Sequence, residues 1–275
     1  MPVINTNVNA LFAQTALRVN NRNLSSAMQQ LSTGSRINPS QADAAGVAIA
    51  SVMTTQIRGL GQAVKNANDG VSLLQTAEGA MIEQTNMLQR MRELAVQASS
   101  DTLSAEQKGY LQNEYQALGD QISNISTQTQ WNGMNILDGT KTSYAISVGT
   151  SGAETIDVTI ADMSSYPDMS VKIGIPGGGA GATSPTDAIA KIDLALTAVN
   201  DSRSAIGAGI NQLTYAADNM NNVIQNATAS RSQIVDTDYA TATTQLARAQ
   251  IIQQAATAML AQANQSPQSV LALHK

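Results

Sequence analysis

The sequence predicts a mainly α protein: a long antiparallel helical bundle or coiled coil carrying a short β-hairpin, with further coiled-coil helices at its two ends. Three observations predict it. Of 275 residues, 43% are hydrophobic but only 3% aromatic, so buried area must come from Leu, Ile, Val, Met and 42 alanines, which suits close helix packing better than a β-sandwich. Apolar residues recur at seven-residue spacing through several long segments. Charge is nearly missing from both ends: residues 1–42 hold Arg18, Arg22 and Arg36 and no acid, and residues 241–273 hold Arg248 alone.

At the amino end, Leu17, Leu24 and Leu31 repeat at seven with Met28 between, and Ile4, Val8 and Leu11 form a stripe one residue out of phase. Across residues 43–99, Leu60, Ala67, Leu74, Met81, Leu88 and Ala95 form a heptad seam with Ile57, Val64 and Val71 as its companions. One continuous helix there would be ~85 Å long. Ser104 and Gln107 have the spacing of a capping box, opening a second helix that ends before Trp131-Asn132-Gly133 and is short enough to be an antiparallel partner.

Tyr144, Ile146 and Val148, then Ile156, Val158 and Ile160, alternate on either side of residues 149–154, the pattern of a hairpin with a longer loop. Residues 176–186 read as a loop, and Pro185 with Asp187 as a helix start, the helix running from about Thr186 to the region of Ile234. Towards the carboxyl end, Val235, Tyr239, Ala242, Leu246, Ala249, Gln253, Ala256, Leu260 and Ala263 keep a 4-3 spacing unbroken until Pro267. Ile251, Ile252, Ala255, Ala258 and Met259 widen this face beyond the needs of a two-stranded coil, so this helix expects more than one neighbour.

The same composition excludes most chemistry. With no cysteine there is no disulfide or thiolate site, and a lone penultimate histidine, His274, leaves no triad and no histidine-based zinc motif. A net charge of −5 without a basic cluster argues against nucleic acid as a partner. The first eighteen residues lack the basic and apolar regions of a cleaved secretory signal, and Gln, Thr and Asn interrupt every apolar run before it reaches membrane-spanning length.

Residues 171–192 imitate the strand, glycine loop and helix of a nucleotide-binding turn. No lysine follows the glycines until Lys191, and no repeated βαβ unit surrounds them, so a linker into a capped helix is the better reading. Asp236 and Asp238, two residues apart, read as cap chemistry rather than an acid–base pair. No cofactor or metal is expected. The 47 Asn and Gln side chains hydrogen-bond across an interface without the desolvation cost of charge. Acid-free, heptad-bearing ends rich in amides are surfaces made for burial against sister subunits: a self-assembling helical protein.

Several separate strings resemble bacterial flagellin: VINTNVNAL, LSTGSRIN, DAAGVAIA, NANDGVSLLQTAEGAM, LQRMRELAVQAS and TQWNGMNILDG near the amino end, then IVDTDYA and AMLAQANQSPQSVL. The resemblance covers about residues 3–140 and 186–273. It implies an inner coiled-coil layer, D0, from residues 1–42 and 236–275, and a helical body, D1, from residues 43–140 and 186–235. Residues 141–185, the hairpin and glycine-rich loop, stand where larger flagellins insert outer domains.

It further implies an extracellular, non-enzymatic subunit of the flagellar filament, exported unfolded through the flagellar type III apparatus and polymerised with itself for motility. Hook-associated junction and cap proteins and a secretion chaperone are its implied partners. Gln89, Arg90, Leu94 and Glu114 match the patch that the vertebrate Toll-like flagellin receptor detects, and Leu17, Leu24, Leu31, Leu246, Ala249, Ala256 and Leu260 are expected in the filament core. Where the family often has a basic residue this chain has Gln233, and it ends in Leu273-His274-Lys275 rather than a pair of leucines. The alternative within the superfamily is a hook–filament junction protein.

Overall fold

A computed structural model of the chain describes residues 7–163, 172–173, 182–183 and 185–272. Five helices dominate: α1 (Val8–Thr33), α2 (Ala44–Ala98), α3 (Ala105–Gln128), α4 (Pro185–Val235) and α5 (Tyr239–Ala272). Among the described residues six short strands stand between α3 and α4: β1 (Gln130–Trp131), β2 (Met134–Asn135), β3 (Ser143–Ser147), β4 (Thr155–Thr159), β5 (Lys172–Ile173) and β6 (Ala182–Thr183). The chain divides into a terminal unit, residues 1–57 with 225–275, and a central unit, residues 58–224. Ile4, the Leu273-His274-Lys275 end and most of the glycine-rich loop lie outside the described residues.

In the central unit, Leu60, Ala67, Leu74, Met81, Leu88 and Ala95 are all buried, as the heptad reading requires. Their companions are not. Val64 and Val71 are only partly buried, and the second inward row of α2 is Ala63, Gly70, Ala77, Gln84, Met91 and Ala98. The reason is steric: small residues let neighbouring helices approach, so the more hydrophobic valines are displaced to the flank.

Helix α3 opens with the expected capping box, the Ser104 backbone N–H donating to Gln107 Oε1 at 2.9 Å and the Gln107 N–H to Ser104 Oγ at 3.3 Å. It turns Tyr115, Ile122 and Ser126 inward. Gln84 Nε2 on α2 donates to Ser126 Oγ at 2.9 Å, while Arg90 on the same helix meets Glu114, so the two helices run antiparallel. Arg92 meets Asp193 at 2.7 Å while Gly70, earlier in α2, stands beside Leu213, later in α4, so α4 runs antiparallel to α2 as well. Pro185 occupies the first helical position of α4, where its missing N–H costs nothing.

The β3–β4 hairpin pairs Tyr144 with Val158 and Ile146 with Ile156, and buries Tyr144, Val158 and Ile160. It seats where two helices lack side chains. Ile146 Cδ1 occupies the space a Cβ on Gly70 would take, and a Cβ on Gly209 of α4 would stand 3.1 Å from Val158 Cγ1. Two pairings were not expected from sequence. β1 and β2 form a two-residue hairpin about Asn132-Gly133, both at positive φ, and β5 pairs with β6 in parallel.

The terminal unit is organised by a crossing of two chain segments. Helix α1 ends at Gly34 in the left-handed region, φ +68°. The Arg36 N–H donates to the Val235 carbonyl at 2.7 Å, and the Thr237 N–H to that of Gly34 at 3.0 Å. The Arg36 guanidinium donates to the Ile234 carbonyl at 2.7 Å. The seam expected to run from Val235 onwards is therefore interrupted: α4 stops at Val235, and Asp238 caps α5 by accepting from the Ala240 N–H at 2.9 Å and from Thr241 Oγ1 at 2.8 Å. These bonds, with that of Thr241 Oγ1 foremost, hold the Asp238 carboxyl below the ordinary range. Helix α5 then continues through Pro267 rather than ending there.

Candidate assembly surface

Helices α1 and α5 lie antiparallel along one seam. Its rows are Ala13, Leu17, Asn20, Leu24, Ala27 and Leu31 on α1, and Ala242, Leu246, Ala249, Gln253, Ala256, Leu260 and Ala263 on α5, each buried or half-buried. Leucine facing alanine permits the close approach that the spacing requires. Four polar bonds fix the register: Asn7 Nδ2 to the Ala263 carbonyl at 2.8 Å, Asn20 Nδ2 to that of Ala249 at 2.8 Å, Gln253 Nε2 to Asn21 Oδ1 at 3.3 Å and, just before α5, Thr237 Oγ1 to the Gln30 carbonyl at 3.5 Å. Asn20 is buried within an otherwise apolar row. A one-residue slip would strip its partner and strand the amide, so it specifies register more than it adds stability.

The structure places the sequence-predicted packing residues as follows. Leu17, Leu24, Leu31, Leu246, Ala256 and Leu260 are half-buried and Ala249 is buried, all on the seam between the chain's own two ends. Met28 is not between the leucines in this sense: it is 56% exposed, and Ala27 takes the inward place. Val8 and Leu11 are exposed too.

What remains uncovered lies beside the seam. Phe12 is 72% exposed, Ile251 66% and Met259 65%. A groove of about 670 Å³ runs along the flank, lined by Phe12, Ala16, Ile252, Ala255 and Met259 among others. Further along the same pair the flank becomes polar, with Asn23, Ser26, Gln245 and Arg248 around a space of about 520 Å³. Neither helix carries an acid, and Arg18, Arg22 and Arg248 are their only charges. An apolar groove and an amide-rich groove, in line and unopposed by like charge, can bind a complementary helical surface. Sequence reasoning saw the width of α5 but missed Phe12, the only phenylalanine of the chain.

A second surface lies on the central unit. Arg90 joins Glu93 at 2.9 Å and Glu114 at 2.9 Å. The bonds to Glu93 and then Glu114 hold the guanidinium still more firmly in its charged form. Gln89 is exposed beside it. Leu94 does not share this surface: at 1% exposure it belongs to the core, one turn along the inward face of α2. Among the described residues no group of three or more His, Asp or Glu could hold a metal ion, and no helix is long and apolar enough to cross a membrane.

Residues 4–142 match the bacterial flagellin N-terminal helical region and residues 189–273 the bacterial flagellin C-terminal helical region. The chain is 41% identical to a flagellin of Halalkalibacterium halodurans, covering 98% of this chain and 99% of that one. It is 40% identical to a flagellin of Xenorhabdus nematophila, with 98% of each chain covered. Against flagellin B of Vibrio cholerae it is 32% identical, again with 98% of each covered, over an alignment of 370 positions that exceeds the length of this chain. Among solved structures, that of Bacillus cereus flagellin aligns with 57% of this chain and 88% of its own, at 29% identity and a TM-score of 0.49.

Proposed function

Because the chain belongs to the bacterial flagellin family, we propose that its α1–α5 pair is the surface by which one subunit of the flagellar filament holds the next. The protein is a structural, non-enzymatic subunit that self-assembles into the extracellular filament of bacterial motility. Its relatives are flagellins, which does not favour the junction-protein alternative.

The observation that carries the proposal is the exposed groove of Phe12, Ile252 and Met259 on a helix pair without acids. On this reading residues 1–42 and 236–275 are the D0 layer, residues 43–140 and 186–235 the D1 body, and residues 141–185 stand in for outer domains. The last point is supported by the two family matches, which leave residues 143–188 uncovered, beside a Vibrio alignment longer than this chain. Leu17, Leu24, Leu31, Leu246, Ala249, Ala256 and Leu260 build the scaffold of the filament core, and the side chains flanking them meet the neighbouring subunit.

Electron microscopy of concentrated protein tests this. Deleting residues 241–275 should leave a soluble chain that forms no filaments, and Ala256→Glu, which places an unpaired charge in the seam, should do the same. Filaments from the truncated chain would overturn the proposal.

Export through the flagellar type III apparatus, junction and cap proteins at the filament ends, and a chaperone covering α5 complete the reading, the last supported by the exposed Ile251 and Met259. For the Toll-like flagellin receptor, Gln89, Arg90 and Glu114 present the contact surface and Leu94 supports it from beneath. An Arg90→Ala monomer should signal less in a receptor-reporter cell; undiminished signalling would remove the patch.

A further inference from the structure

Three pairs in the chain join an Asp or Asn side chain to glycine: Asp69-Gly70, Asn132-Gly133 and Asp138-Gly139. Such pairs share one reaction. The glycine backbone nitrogen attacks the preceding side-chain Cγ, a five-membered succinimide closes, and the leaving group departs as ammonia from Asn or water from Asp. Water then opens the ring at either carbonyl, leaving aspartate or isoaspartate. The fold admits the three pairs to this chemistry unequally.

Asp69-Gly70 lies inside α2, whose repeating backbone bonds keep the Gly70 nitrogen from its neighbour's side chain. Asp138 is held otherwise. Its carboxylate accepts from Asn135 Nδ2 at 3.0 Å, from the Thr140 N–H at 3.1 Å and from Thr140 Oγ1 at 2.6 Å. Those bonds also keep it ionised, Thr140 Oγ1 first among them, whereas the acid must be protonated to lose water.

Asn132 has none of these restraints. It is exposed at the tip of β1–β2, makes no side-chain hydrogen bond among the described residues, and has φ +50°. Gly133, at φ +76°, is followed by open space: an added Cβ would meet nothing within 4 Å. Each strand of the hairpin has two residues, so opening it lies at the low end of the free-energy scale.

We propose that Asn132-Gly133 is a self-modifying site, at which the folded protein deamidates to aspartate and isoaspartate as it ages. Isoaspartate adds a methylene to the backbone of a two-residue turn whose register pairs Trp131 with Met134. That pairing leads directly into Ile136 and Leu137, both buried in the central core. The product carries one more negative charge and presents an isoaspartyl carboxylate, the substrate class of methyl-transferring repair enzymes. This does not depend on the assembly proposal.

The test keeps the full chain folded in warm, mildly alkaline buffer and counts isoaspartate by enzymatic methylation with a labelled methyl donor. Fragment sequencing of the tryptic peptide 109–141 then locates it. Label should accumulate mainly at position 132, and Asn132→Gln, whose longer side chain closes the ring poorly, should lose most of it while keeping its circular dichroism. Label spread evenly over other amides, label at Asp69 or Asp138, or label at position 132 only after unfolding in urea would each overturn the proposal, as would its complete absence.

Discussion

Between residues 58 and 224 the core draws on α2, α3, the β3–β4 hairpin and α4, whereas among the described residues the α1–α5 pair fully buries only Asn20, Ala27, Ala242 and Ala249. Both regions use the same heptad spacing. The difference is the number of neighbours: two helices cover one strip of each other, while several elements close around a shared interior. Charge divides the same way, the terminal unit carrying six basic and three acidic side chains and the central unit nine and seventeen. An acidic body that buries its own core resists association. Acid-free helices with Phe12 and Ile251 uncovered invite it, so on the proposal above one chain joins a self-sufficient region to one that its neighbours finish.

The largest expected effect separates the two regions most cleanly. Leu74→Ala, in the central core, should cost the monomer about 2–5 kcal/mol in urea denaturation. By contrast Ile252→Ala, at a side chain 41% exposed, should change monomer stability by no more than about 0.5 kcal/mol yet raise the concentration needed for polymerisation. Gly70→Ala comes next: its methyl competes with Ile146 for one space, at a cost of about 1–3 kcal/mol, and the hairpin should exchange its amide protons faster.

Alkaline titration sharpens the contrast further. Burial pushes the Tyr115 hydroxyl from 10.0 to about 12. The folded state thus keeps a proton that the unfolded chain releases, so its contribution is intact below pH 10.0 and is lost as pH rises towards about 12. Urea unfolding of the monomer at successive pH values should show the central unit weakening across that window, and Tyr115→Phe should flatten the slope. Smallest is the exposed pair of Arg90 and Glu114, whose loss in Glu114→Gln should leave the urea midpoint nearly unchanged in the same assay.

Much of this was legible in the residues. The seams of α1 and α5, the capping box at Ser104, the β3–β4 hairpin and the excess apolar width of α5 follow from spacing alone, and the Asp238 cap fits the reading of its pair as cap chemistry. The second row of α2 was not legible, because Ala63, Gly70 and Ala77 are chosen for size, and hydrophobicity directs attention to Val64 and Val71 instead. The β5–β6 pairing joins distant positions and leaves no local pattern. Asn132-Gly133 did carry a hairpin signal, but standing after a helix it passed as a stop. Burial at Leu94 and Phe12 was not legible either: similarity of sequence carries no burial, and only packing shows that the first is enclosed and the second is open.

The central claim is that the α1–α5 pair is completed by other subunits whereas the central core is complete in one. Amide hydrogen exchange on monomer and on sedimented filaments tests it most directly. Protection across residues 8–33 and 239–272 should rise sharply on assembly, while the inward rows of α2 and α4 within residues 58–224, already protected in the monomer, should change little. Equal protection of the terminal helices in both states, or a rise confined to the central unit, would contradict the account.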